Sequence, residues 1–439
     1  MTAESERWLS RSRAAVWHPC TQMKAHETLP LVAIARGRGA WLYDFDGGRY
    51  LDAVSSWWVN LFGHCHPRIN AAIAAQLGEL EHVMLAGFTH APVVELSERL
   101  TALAPAGLRH VFYGSDGASA VEIALKMAFH YWHNRGAPEK RTFLSLEGSY
   151  HGETMGALGV TDVALFRDTY APLLMQHGRV PAPEPLAGNA GPRAREAADR
   201  AARALELHLE ANHASIAALI IEPLVQGASG MRMHHPHFLE RARAACTRFD
   251  VLLIADEIMT GFGRTGTMFA WEQSLADAPD LMCVSKGITG GYLPLSAVLA
   301  SDRIYDAFYD EEITRGFLHS HSYTGNPLAC RAALAVLDLF RDDDVIAQNT
   351  LRAQRWRELA RPLCDHALVR NFRTRGMIMA FDVATTRTDF ARWCFARGLE
   401  QELLLRPIGN TLYFMPPYVT TDEEFAGLVS GVCSILEHA

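Results

Sequence analysis

The sequence predicts an α/β protein with a mostly parallel central sheet and helices on both faces. Two short runs, residues 251–255 and 281–284, are fully apolar and are bounded by polar or glycine-rich segments. Such runs fit strands that are buried on both faces, as in a parallel sheet. Strand-like and helix-like segments also alternate as far as Lys286, which is the pattern of parallel strands joined by helices.

Length, charge and cysteine usage limit the classes of function. The chain has 439 residues, enough for a large core and more than one domain. A net charge of −8 gives no support to nucleic acid or an anionic membrane as a partner. No apolar run approaches the ~20 residues that span a bilayer, and the N-terminus lacks the apolar segment of a signal peptide. The eight cysteines are scattered, so we expect reduced thiols in a soluble cytoplasmic protein without a metal cluster.

The first sixty residues are expected to form an irregular segment with short strands. Residues 38–52 alternate around Asp46-Gly47-Gly48, which predicts a β-hairpin. Trp57 and Trp58 follow. Because neighbouring side chains point apart in regular structure, we expect one of these two rings to line a cavity; the alternative is that both fill an interface.

A helix that begins at Gly117 is the next predicted element. Its apolar residues follow the 3.6-residue period, at positions 121, 124, 125, 128, 131 and 132. Free N–H groups of a first helical turn bind anions, so a phosphate site is one interpretation, and ordinary N-capping by Asp116 or Ser115 is the other. Tyr150-His151 follows a further apolar stretch and either stacks on a flat cofactor or serves the structure alone.

The later segments divide the chain into domains. Residues 178–192 carry four prolines and three glycines and predict a surface loop, followed by a helix at 193–212 and a buried strand at 217–221. A long helix at 327–341 leads to a smaller α+β unit with strands at 377–383 and 411–415. The predicted domains are therefore 1–60 (N-terminal part of a small domain), 61–326 (large domain) and 327–439 (C-terminal small domain). His234, His235 and His237 lie in a loop-like stretch and are expected to face solvent.

Asp256 and Lys286 follow the two apolar runs, so both are expected at the sheet edge where ligands of open α/β folds bind. Pyridoxal phosphate (PLP) chemistry requires such a pair, because the lysine bonds the cofactor aldehyde and the acid keeps the pyridine nitrogen protonated. An ordinary strand-end salt bridge is the alternative. Arg406, next to Pro407, is either a carboxylate ligand or a surface arginine.

Residues 256–266 (DEIMTGFGRTG), with a lysine thirty residues after the aspartate, resemble the signature of the class III PLP-dependent aminotransferases, and the resemblance covers nearly the whole chain. Within the class, further motifs are similar to the diaminopelargonate aminotransferases, which aminate 8-amino-7-oxononanoate in biotin biosynthesis, usually with S-adenosylmethionine as donor. These motifs are residues 17–19, 55–58, 82–84, 89–92, 226–228, 325–330, 406–407 and 415–418.

The resemblance implies a fold type I transferase with pyridoxal 5′-phosphate as cofactor. It also implies a cytoplasmic homodimer with shared active sites, whose large domain binds PLP and whose small domain is built from both termini. Three residues take catalytic roles. Lys286 bonds the cofactor and moves a proton, Asp256 pairs with the pyridine nitrogen, and Tyr150 packs over the ring and touches the substrate.

The remaining site residues are also implied by the resemblance. Backbone N–H groups of Gly117 and Ala118 meet the cofactor phosphate. A second phosphate contact comes from the partner subunit's Ser322, beside His321, where most members have threonine. The implied substrate contacts are Cys20, Trp57, Trp58, Tyr150, Ser320 and Arg406, of which Trp57 lines the channel for the oxononanoate chain and Arg406 takes its carboxylate.

Two departures from the family pattern leave the amino donor open between S-adenosylmethionine and lysine. Cys20 stands where the family commonly has a tyrosine that contacts substrates, and residues 319–324 are closer to members that use lysine. Three other functions remain as alternatives. They are an ω-amino-acid or broad-range amine:pyruvate aminotransferase with the same cofactor residues, an aminomutase or racemase, and a non-catalytic binding protein that retains the fold.

Overall fold

The structure is a computed structural model that describes residues 2–185 and 191–439. In chain order its strands are β1 (Ile34–Arg38), β2 (Trp41–Asp44), β3 (Arg49–Asp52), β4 (Leu108–Gly114), β5 (Thr142–Leu146), β6 (Gly178–Val180), β7 (Ile216–Ile221), β8 (Val225–Gln226), β9 (Arg232–Met233), β10 (Leu252–Asp256), β11 (Leu281–Val284), β12 (Ser296–Ser301), β13 (Val369–Arg375), β14 (Ile378–Val383), β15 (Leu403–Leu404) and β16 (Thr411–Phe414).

The helices, in chain order, are α1 (Ala3–Ala15), α2 (Ser55–Trp58, a single turn), α3 (Pro67–Leu77), α4 (Ala91–Leu103), α5 (Gly117–Asn134), α6 (Met155–Val160), α7 (Ala164–Arg167), α8 (Pro192–Asn212), α9 (His237–Arg248), α10 (Asp302–Asp306), α11 (Pro327–Asp342), α12 (Val345–Leu359), α13 (Arg361–Cys364), α14 (Phe390–Glu400) and α15 (Asp422–Leu436). Short 3₁₀ turns lie at Met23–Glu27, Asp168–Leu173, His213–Ser215, Ala270–Gln273, Lys286–Thr289 and Ile313–Arg315.

The larger of two compact units comprises Arg68–Thr350 and Arg373–Ile378. Its seven-stranded sheet has the order β4-β12-β11-β10-β7-β5-β6. The neighbours from β11 to β6 are parallel, whereas β12 runs antiparallel to both β11 and β4. The prediction of a mostly parallel sheet is therefore confirmed.

The two apolar runs form the centre of this sheet, as β10 and β11. Every residue of both strands is buried, because neighbouring strands cover their edges and helices cover the sheet. The helix predicted from Gly117 is α5, which packs against β4, β7, β10, β11 and β12. All six of its predicted apolar positions are buried, so the period identified its core-facing side.

The smaller unit comprises the N-terminal segment up to Pro67 together with Leu351–Phe372 and Met379–Ala439. One of its sheets has the order β1-β2-β3-β15, and in it β2 and β3 form the predicted hairpin, with Trp41 opposite Leu51. A second sheet has the order β13-β14-β16. The domain boundaries at 60/61 and 326/327 stay predictions.

The loop predicted at residues 178–192 is wrong at both of its ends. Gly178–Val180 forms β6, which pairs in parallel with β5, and Pro192 begins α8. Proline at the first position of a helix is compatible with helical geometry, since its missing N–H would have no partner there. Residues 186–190 of the predicted loop lie outside the described part of the chain.

The prediction that His234, His235 and His237 face solvent is wrong for His234, whereas His235 and His237 are partly exposed. His234 directly follows β9 and is buried, and its backbone N–H donates to the carbonyl of Leu224, which directly precedes β8. Burial lowers the pKa of His234 to about 4. His237 begins α9 and lies between two carboxylates, with Nδ1 2.7 Å from Glu240 and Nε2 3.1 Å from Asp199. Polar composition alone did not reveal these partners.

The structure also bears on three general features of the chain. Within the described residues, no helix combines the length and apolar character needed to cross a membrane. All eight cysteines are free thiols. The described residues contain no group of three or more His, Cys, Asp or Glu side chains placed to hold a metal ion.

Candidate active site

Parallel strands bring three titratable side chains to one edge of the large sheet. Asp256 is the last residue of β10, Lys286 lies two residues beyond β11, and Glu222 directly follows β7. Because these strands are parallel neighbours, their carboxyl ends meet at the same edge. The charges of Asp256 and Glu222 both act on the Lys286 amine, so the three groups form one electrostatic cluster.

Lys286 is held in a conformation that suits a nucleophile. Its φ of 39° lies in the left-handed region, which is uncommon for a residue with a side chain and is often retained at functional sites. Burial lowers the pKa of Lys286, while the two nearby carboxylates oppose this effect. The larger share of neutral amine that results is the form that attacks a carbonyl carbon.

Asp256 is oriented by contacts to both of its oxygens. Oδ2 lies 2.7 Å from His151 Nδ1, and Oδ1 accepts the backbone N–H of Ile258 at 3.1 Å. His151 is itself held by its backbone N–H, which donates to Thr161 Oγ1 at 2.9 Å. Its Nε2 atom is buried without a hydrogen-bond partner among the described residues. The carboxylate therefore has a fixed direction, as an acid that pairs with a ring nitrogen requires.

Glu222 connects two segments at the same edge. Its Oε1 accepts the N–H of Tyr150 at 2.9 Å, and its Oε2 accepts the N–H of Gly227 at 3.0 Å. Burial raises the pKa of Glu222 to about 7. The Tyr150 hydroxyl donates to Glu153 at 2.8 Å, which fixes the far end of that ring. Glu222 therefore positions the segment that carries Tyr150.

His151 and Glu222 were not predicted as site residues. Their partners Asp256 and Tyr150 are 105 and 72 residues away along the chain, and no local pattern reports such a contact. The available signals were the position of Glu222 after a buried strand and the aromatic pair Tyr150-His151. Neither signal identified the partner.

The N-terminus of α5 provides a place for a phosphate group. Asp116 caps the helix by accepting the N–H of Ser119 at 2.9 Å. The N–H groups of Gly117 and Ala118, in the first turn, have no acceptor within the helix and carry the positive end of its dipole. A Cβ atom on Gly117 would lie 2.9 Å from Ile258 Cγ2, so glycine is needed for this close approach. An amine, an oriented acid and an anion site fit the aldehyde, ring nitrogen and phosphate of PLP.

The segment that precedes α11 carries the predicted cofactor residues His321 and Ser322 and the predicted substrate residue Ser320. Ser320 and Ser322 are exposed. His321 lies between them, with Nδ1 3.2 Å from Ser115 Oγ and Nε2 3.2 Å from His319 Nε2. The structure thus brings His321 to the residue that precedes the α5 cap within the same chain.

Three predicted substrate residues, Cys20, Trp57 and Arg406, line one cavity of about 530 Å³ in the smaller unit. The guanidinium of Arg406 lies 4.3 Å from the centre of the Trp57 ring, which is a cation–π contact. Cys20 is exposed. A largely apolar wall that includes two arginines, Arg406 and Arg392, suits a ligand that has a hydrocarbon chain and a carboxylate.

The two tryptophans occupy different surroundings. Trp57 is 40% exposed, whereas Trp58 is buried and donates from Nε1 to the Tyr413 hydroxyl at 2.9 Å. Residues 55–58 all have positive φ, at 52°, 45°, 73° and 73°, so the turn is left-handed. The prediction that one ring lines a cavity is confirmed, and that ring belongs to Trp57.

A buried carboxylate holds this unusual turn. Asp52 is fully buried and accepts the N–H of Ser56 at 2.9 Å and its hydroxyl at 2.7 Å. His64 Nε2 lies 3.2 Å from the same carboxylate, and Asn60 contacts the other ring nitrogen of His64 at 3.1 Å. The backbone conformation that presents Trp57 therefore depends on side chains outside the turn.

Comparison with known proteins assigns the family. The model of the family "Aminotransferase class-III" matches residues 22–436. The chain belongs to the class-III aminotransferases. It is 43% identical over 429 residues to the adenosylmethionine-8-amino-7-oxononanoate aminotransferase of Helicobacter pylori, with 96% of each chain covered.

Solved structures agree with this class-III assignment. The adenosylmethionine-8-amino-7-oxononanoate aminotransferase from Methanocaldococcus jannaschii matches with a TM-score of 0.91 and 33% identity, covering 99% of each chain. An amine transaminase from an uncultivated Pseudomonas species, in its PLP-bound form, matches with a TM-score of 0.88 and 34% identity, covering 97% of this chain and 98% of the other.

This class-III aminotransferase is therefore a PLP-dependent transferase of fold type I that acts on small molecules. The predicted family, fold class, enzyme class and cofactor are confirmed. The roles of the individual site residues stay predictions.

Proposed function

We propose that this class-III aminotransferase transfers an amino group to 8-amino-7-oxononanoate and forms 7,8-diaminononanoate in biotin biosynthesis. Similarity over the full length carries the proposal, since relatives at 34–43% identity are adenosylmethionine-8-amino-7-oxononanoate aminotransferases. Their name also supports S-adenosylmethionine as the amino donor. Lysine is the second candidate donor, because residues 319–324 are closer to members that use lysine and Cys20 stands where the family commonly has tyrosine.

Lys286 performs the proton transfers in this proposal. PLP, when bound, supplies an electron sink that acidifies the carbon next to the transferred nitrogen. Lys286 Nζ removes the proton from Cα of the donor and, in the second half of the reaction, delivers a proton to C7 of the acceptor. Burial lowers the pKa of Lys286, which makes the neutral amine available for the first of these steps.

Asp256 supports the chemistry through its charge and direction. A carboxylate next to the pyridine nitrogen keeps that nitrogen protonated, so electron density flows toward it. His151 and the Ile258 N–H hold the two oxygens of Asp256, which limits the reorganisation that the reaction requires. Tyr150, fixed through Glu222, packs over the cofactor ring in this proposal.

Arg406 and Trp57 recognise the acceptor. Its carboxylate pairs with the Arg406 guanidinium, and its hydrocarbon chain lies along the Trp57 ring, supported by Trp58. The cation–π contact of 4.3 Å restricts the arginine before the ligand arrives, so less conformational entropy is lost on binding.

The proposed assembly is a cytoplasmic homodimer in which the partner subunit's Ser322 contacts the cofactor phosphate. The exposure of Ser320 and Ser322 supports this role, because both hydroxyls are open to a second chain. A serine retains the hydroxyl of the threonine that is common in the family, so the hydrogen bond survives without the methyl group.

An acceptor comparison tests the proposed activity. The purified enzyme with PLP is given 8-amino-7-oxononanoate or pyruvate, each with S-adenosylmethionine or with lysine, and the amine products are quantified by mass spectrometry. We expect 7,8-diaminononanoate, with a kcat/KM far above that for pyruvate. Formation of alanine without 7,8-diaminononanoate would contradict the proposal.

A second candidate function is that of a broad-range amine:pyruvate aminotransferase. The match to the Pseudomonas amine transaminase, at 34% identity, favours it about as much as the match to the archaeal structure, at 33%, favours the first candidate. The pyruvate arm of the acceptor comparison separates the two. Transfer from a separate donor also distinguishes both from an aminomutase or racemase.

A further inference from the structure

Four side chains form a continuous row of contacts that ends beside the α5 cap. Lys126 Nζ lies 2.9 Å from His319 Nδ1, and His319 Nε2 lies 3.2 Å from His321 Nε2. His321 Nδ1 in turn lies 3.2 Å from Ser115 Oγ. We call these residues (Lys126, His319, His321 and Ser115) the Lys126–Ser115 relay.

The ammonium group sets the direction of every hydrogen bond in the relay. A lysine ammonium only donates, so Nδ1 of His319 must accept and its Nε2 must carry the hydrogen. His319 then donates to Nε2 of His321, which places the hydrogen of His321 on Nδ1. That hydrogen is donated to Ser115 Oγ. Both histidines are neutral in this arrangement, since a protonated ring has no acceptor.

The protein environment favours the neutral form of His319. Burial lowers its pKa, and the charge of Lys126 lowers it further, whereas Glu122 acts in the opposite direction. The rings of His319 and His321 lie 5.1 Å apart at 63°, and Phe317 packs against His319 at 5.7 Å. These contacts restrict the orientation of both imidazoles.

The far end of the relay is Ser115, which directly precedes the cap residue Asp116 and lies two residues before Gly117. Its oxygen already accepts a hydrogen bond from His321, so its own hydrogen is left to donate to another acceptor. An anion at the α5 N-terminus is an acceptor that the local geometry favours.

We propose that the Ser115 hydroxyl donates to the cofactor phosphate, and that His321, His319 and Lys126 are positioning residues that fix its direction. The inference rests on the proposed placement of the phosphate at Gly117 and Ala118. His321 then acts on the phosphate through Ser115, because both of its ring nitrogens are engaged within the relay.

Comparison of PLP with pyridoxal, which lacks the phosphate, tests the inference by a binding measurement. Apoenzyme is titrated with each ligand in equilibrium dialysis, and the ratio of the two dissociation constants isolates the phosphate contribution. The variants are Ser115→Ala, His319→Phe and His319→Gln, with Ser119→Ala as a matched loss of a hydroxyl on the same helix. Glutamine offers both an acceptor and a donor, whereas phenylalanine offers neither.

We expect Ser115→Ala to weaken PLP binding about ten- to a hundredfold, the usual effect of one hydrogen bond to a charged group, and to leave pyridoxal binding unchanged. His319→Phe should act in the same sense, His319→Gln should restore much of the affinity, and Ser119→Ala should match the wild type. Equal losses for both ligands, or no loss in Ser115→Ala, would overturn the inference.

Gly117→Ala separates failure of the relay from failure of the phosphate placement. Its added Cβ would lie against Ile258 and obstruct the first turn of α5. If Gly117→Ala weakens PLP selectively but Ser115→Ala does not, the relay is wrong and the placement stands. If neither variant changes the ratio of dissociation constants, both the relay and the placement are wrong, whereas the acceptor assay of the proposed function is unaffected.

Discussion

Burial sets the charge of individual side chains at the edge of the large sheet. It lowers the pKa of Lys286 and raises that of Glu222 to about 7, so it disfavours the charged form of each group. Asp256 is oriented by His151 Nδ1, 2.7 Å from its Oδ2, and by the Ile258 N–H, which donates to its Oδ1. The surroundings of Lys286 and Glu222 therefore favour the neutral form of both groups.

Asp256→Asn tests the role of the negative charge of the Asp256 carboxylate. The amide has nearly the same shape but does not keep the pyridine nitrogen protonated, so we expect kcat to fall by about a hundredfold or more. Circular dichroism and melting temperature should change little. The matched variant Asp280→Asn removes another buried aspartate, which pairs with Arg243 at 2.8 Å and is not a predicted site residue. If Asp280→Asn loses stability without a comparable loss of kcat, the fall of kcat in Asp256→Asn is due to the lost charge beside the cofactor and not to a general loss of stability.

Glu257→Gln tests the effect of a buried carboxyl on stability. Glu257 accepts the N–H groups of Trp271 and Ala270, and burial raises its pKa to about 7. Between its ordinary value and pH 7 the unfolded carboxyl releases its proton while the folded one keeps it. This group's contribution to stability is therefore present at low pH and lost as pH rises through that window.

The glutamine variant lacks this titration. The difference in the free energy of unfolding, wild type minus variant, should fall by about 3 kcal/mol between pH 4.5 and 7. Melting temperatures at fixed PLP and protein concentrations across this range measure the change. Parallel curves for the two proteins would contradict the assigned cause.

At the scale of elements, the left-handed turn at residues 55–58 carries a conformational cost, because four consecutive non-glycine residues have positive φ. Each non-glycine residue in this region costs about 1–2 kcal/mol, so the contacts made by Asp52 must offset much of that cost. We expect Asp52→Asn to lower the free energy of unfolding by about 1–3 kcal/mol and to raise KM for the keto acid, because Trp57 is displaced.

Thermal unfolding and steady-state kinetics of the same preparation measure both effects of Asp52→Asn. Ser56→Ala removes only the hydroxyl hydrogen bond to Asp52 and leaves the contacts from the Ser56 N–H, the Val54 N–H and His64, so it should show a smaller loss of stability. An Asp52→Asn enzyme with an unchanged melting temperature would mean that the turn is held by other contacts.

The elements that the sequence predicted correctly share a local cause. The strands at 252–256 and 281–284 and the α5 helix have apolar patterns that report burial directly. The left-handed turn could not be predicted, because it contains no glycine and depends on Asp52, His64 and Met415, whose carbonyl accepts the Ser55 hydroxyl 360 residues away. The burial of His234 likewise depends on the pairing of β8 with β9.

The same distinction between local patterns and long-range contacts applies to the residues of the candidate site. Lys286 and Asp256 were predicted because each follows an apolar strand, and parallel strands end at one edge. The His151–Asp256 contact, the Glu222 contacts and the Lys126–Ser115 relay join residues far apart in sequence. No periodic pattern in the sequence indicates that these residues are in contact, so the contacts are visible only in the folded structure.

At the scale of the whole molecule, the proposed function predicts that Arg406 binds the carboxylate of the acceptor. Arg406 and Arg392 both line the cavity that contains Trp57, but only Arg406 is held over the Trp57 ring at 4.3 Å. We expect Arg406→Met to raise KM for 8-amino-7-oxononanoate about ten- to a hundredfold and to spare ketone acceptors without a carboxylate. Arg392→Met should leave both unchanged. Equal effects on both acceptor types would show that Arg406 acts on the fold instead.

Mixing two defective variants tests whether the active sites are shared between subunits. Lys286→Ala subunits lack the amine but retain Ser322, whereas Ser322→Ala subunits retain the amine but lack the phosphate contact. In a hybrid dimer, one site combines the intact Lys286 of one chain with the Ser322 of the other. Unfolding and refolding a 1:1 mixture at random should thus produce about one quarter of the wild-type number of complete sites.

The assay uses a PLP concentration that saturates the wild type but not the Ser322→Ala homodimer, so that recovered activity reports complete sites. Each variant refolded alone serves as the control, and sedimentation velocity verifies that the species are dimers. If Ser322 instead contacts the phosphate within its own chain, no hybrid site is complete, and the mixture should only average its two components. Activity above that average therefore requires that Ser322 of one subunit contacts the cofactor phosphate bound by the other subunit.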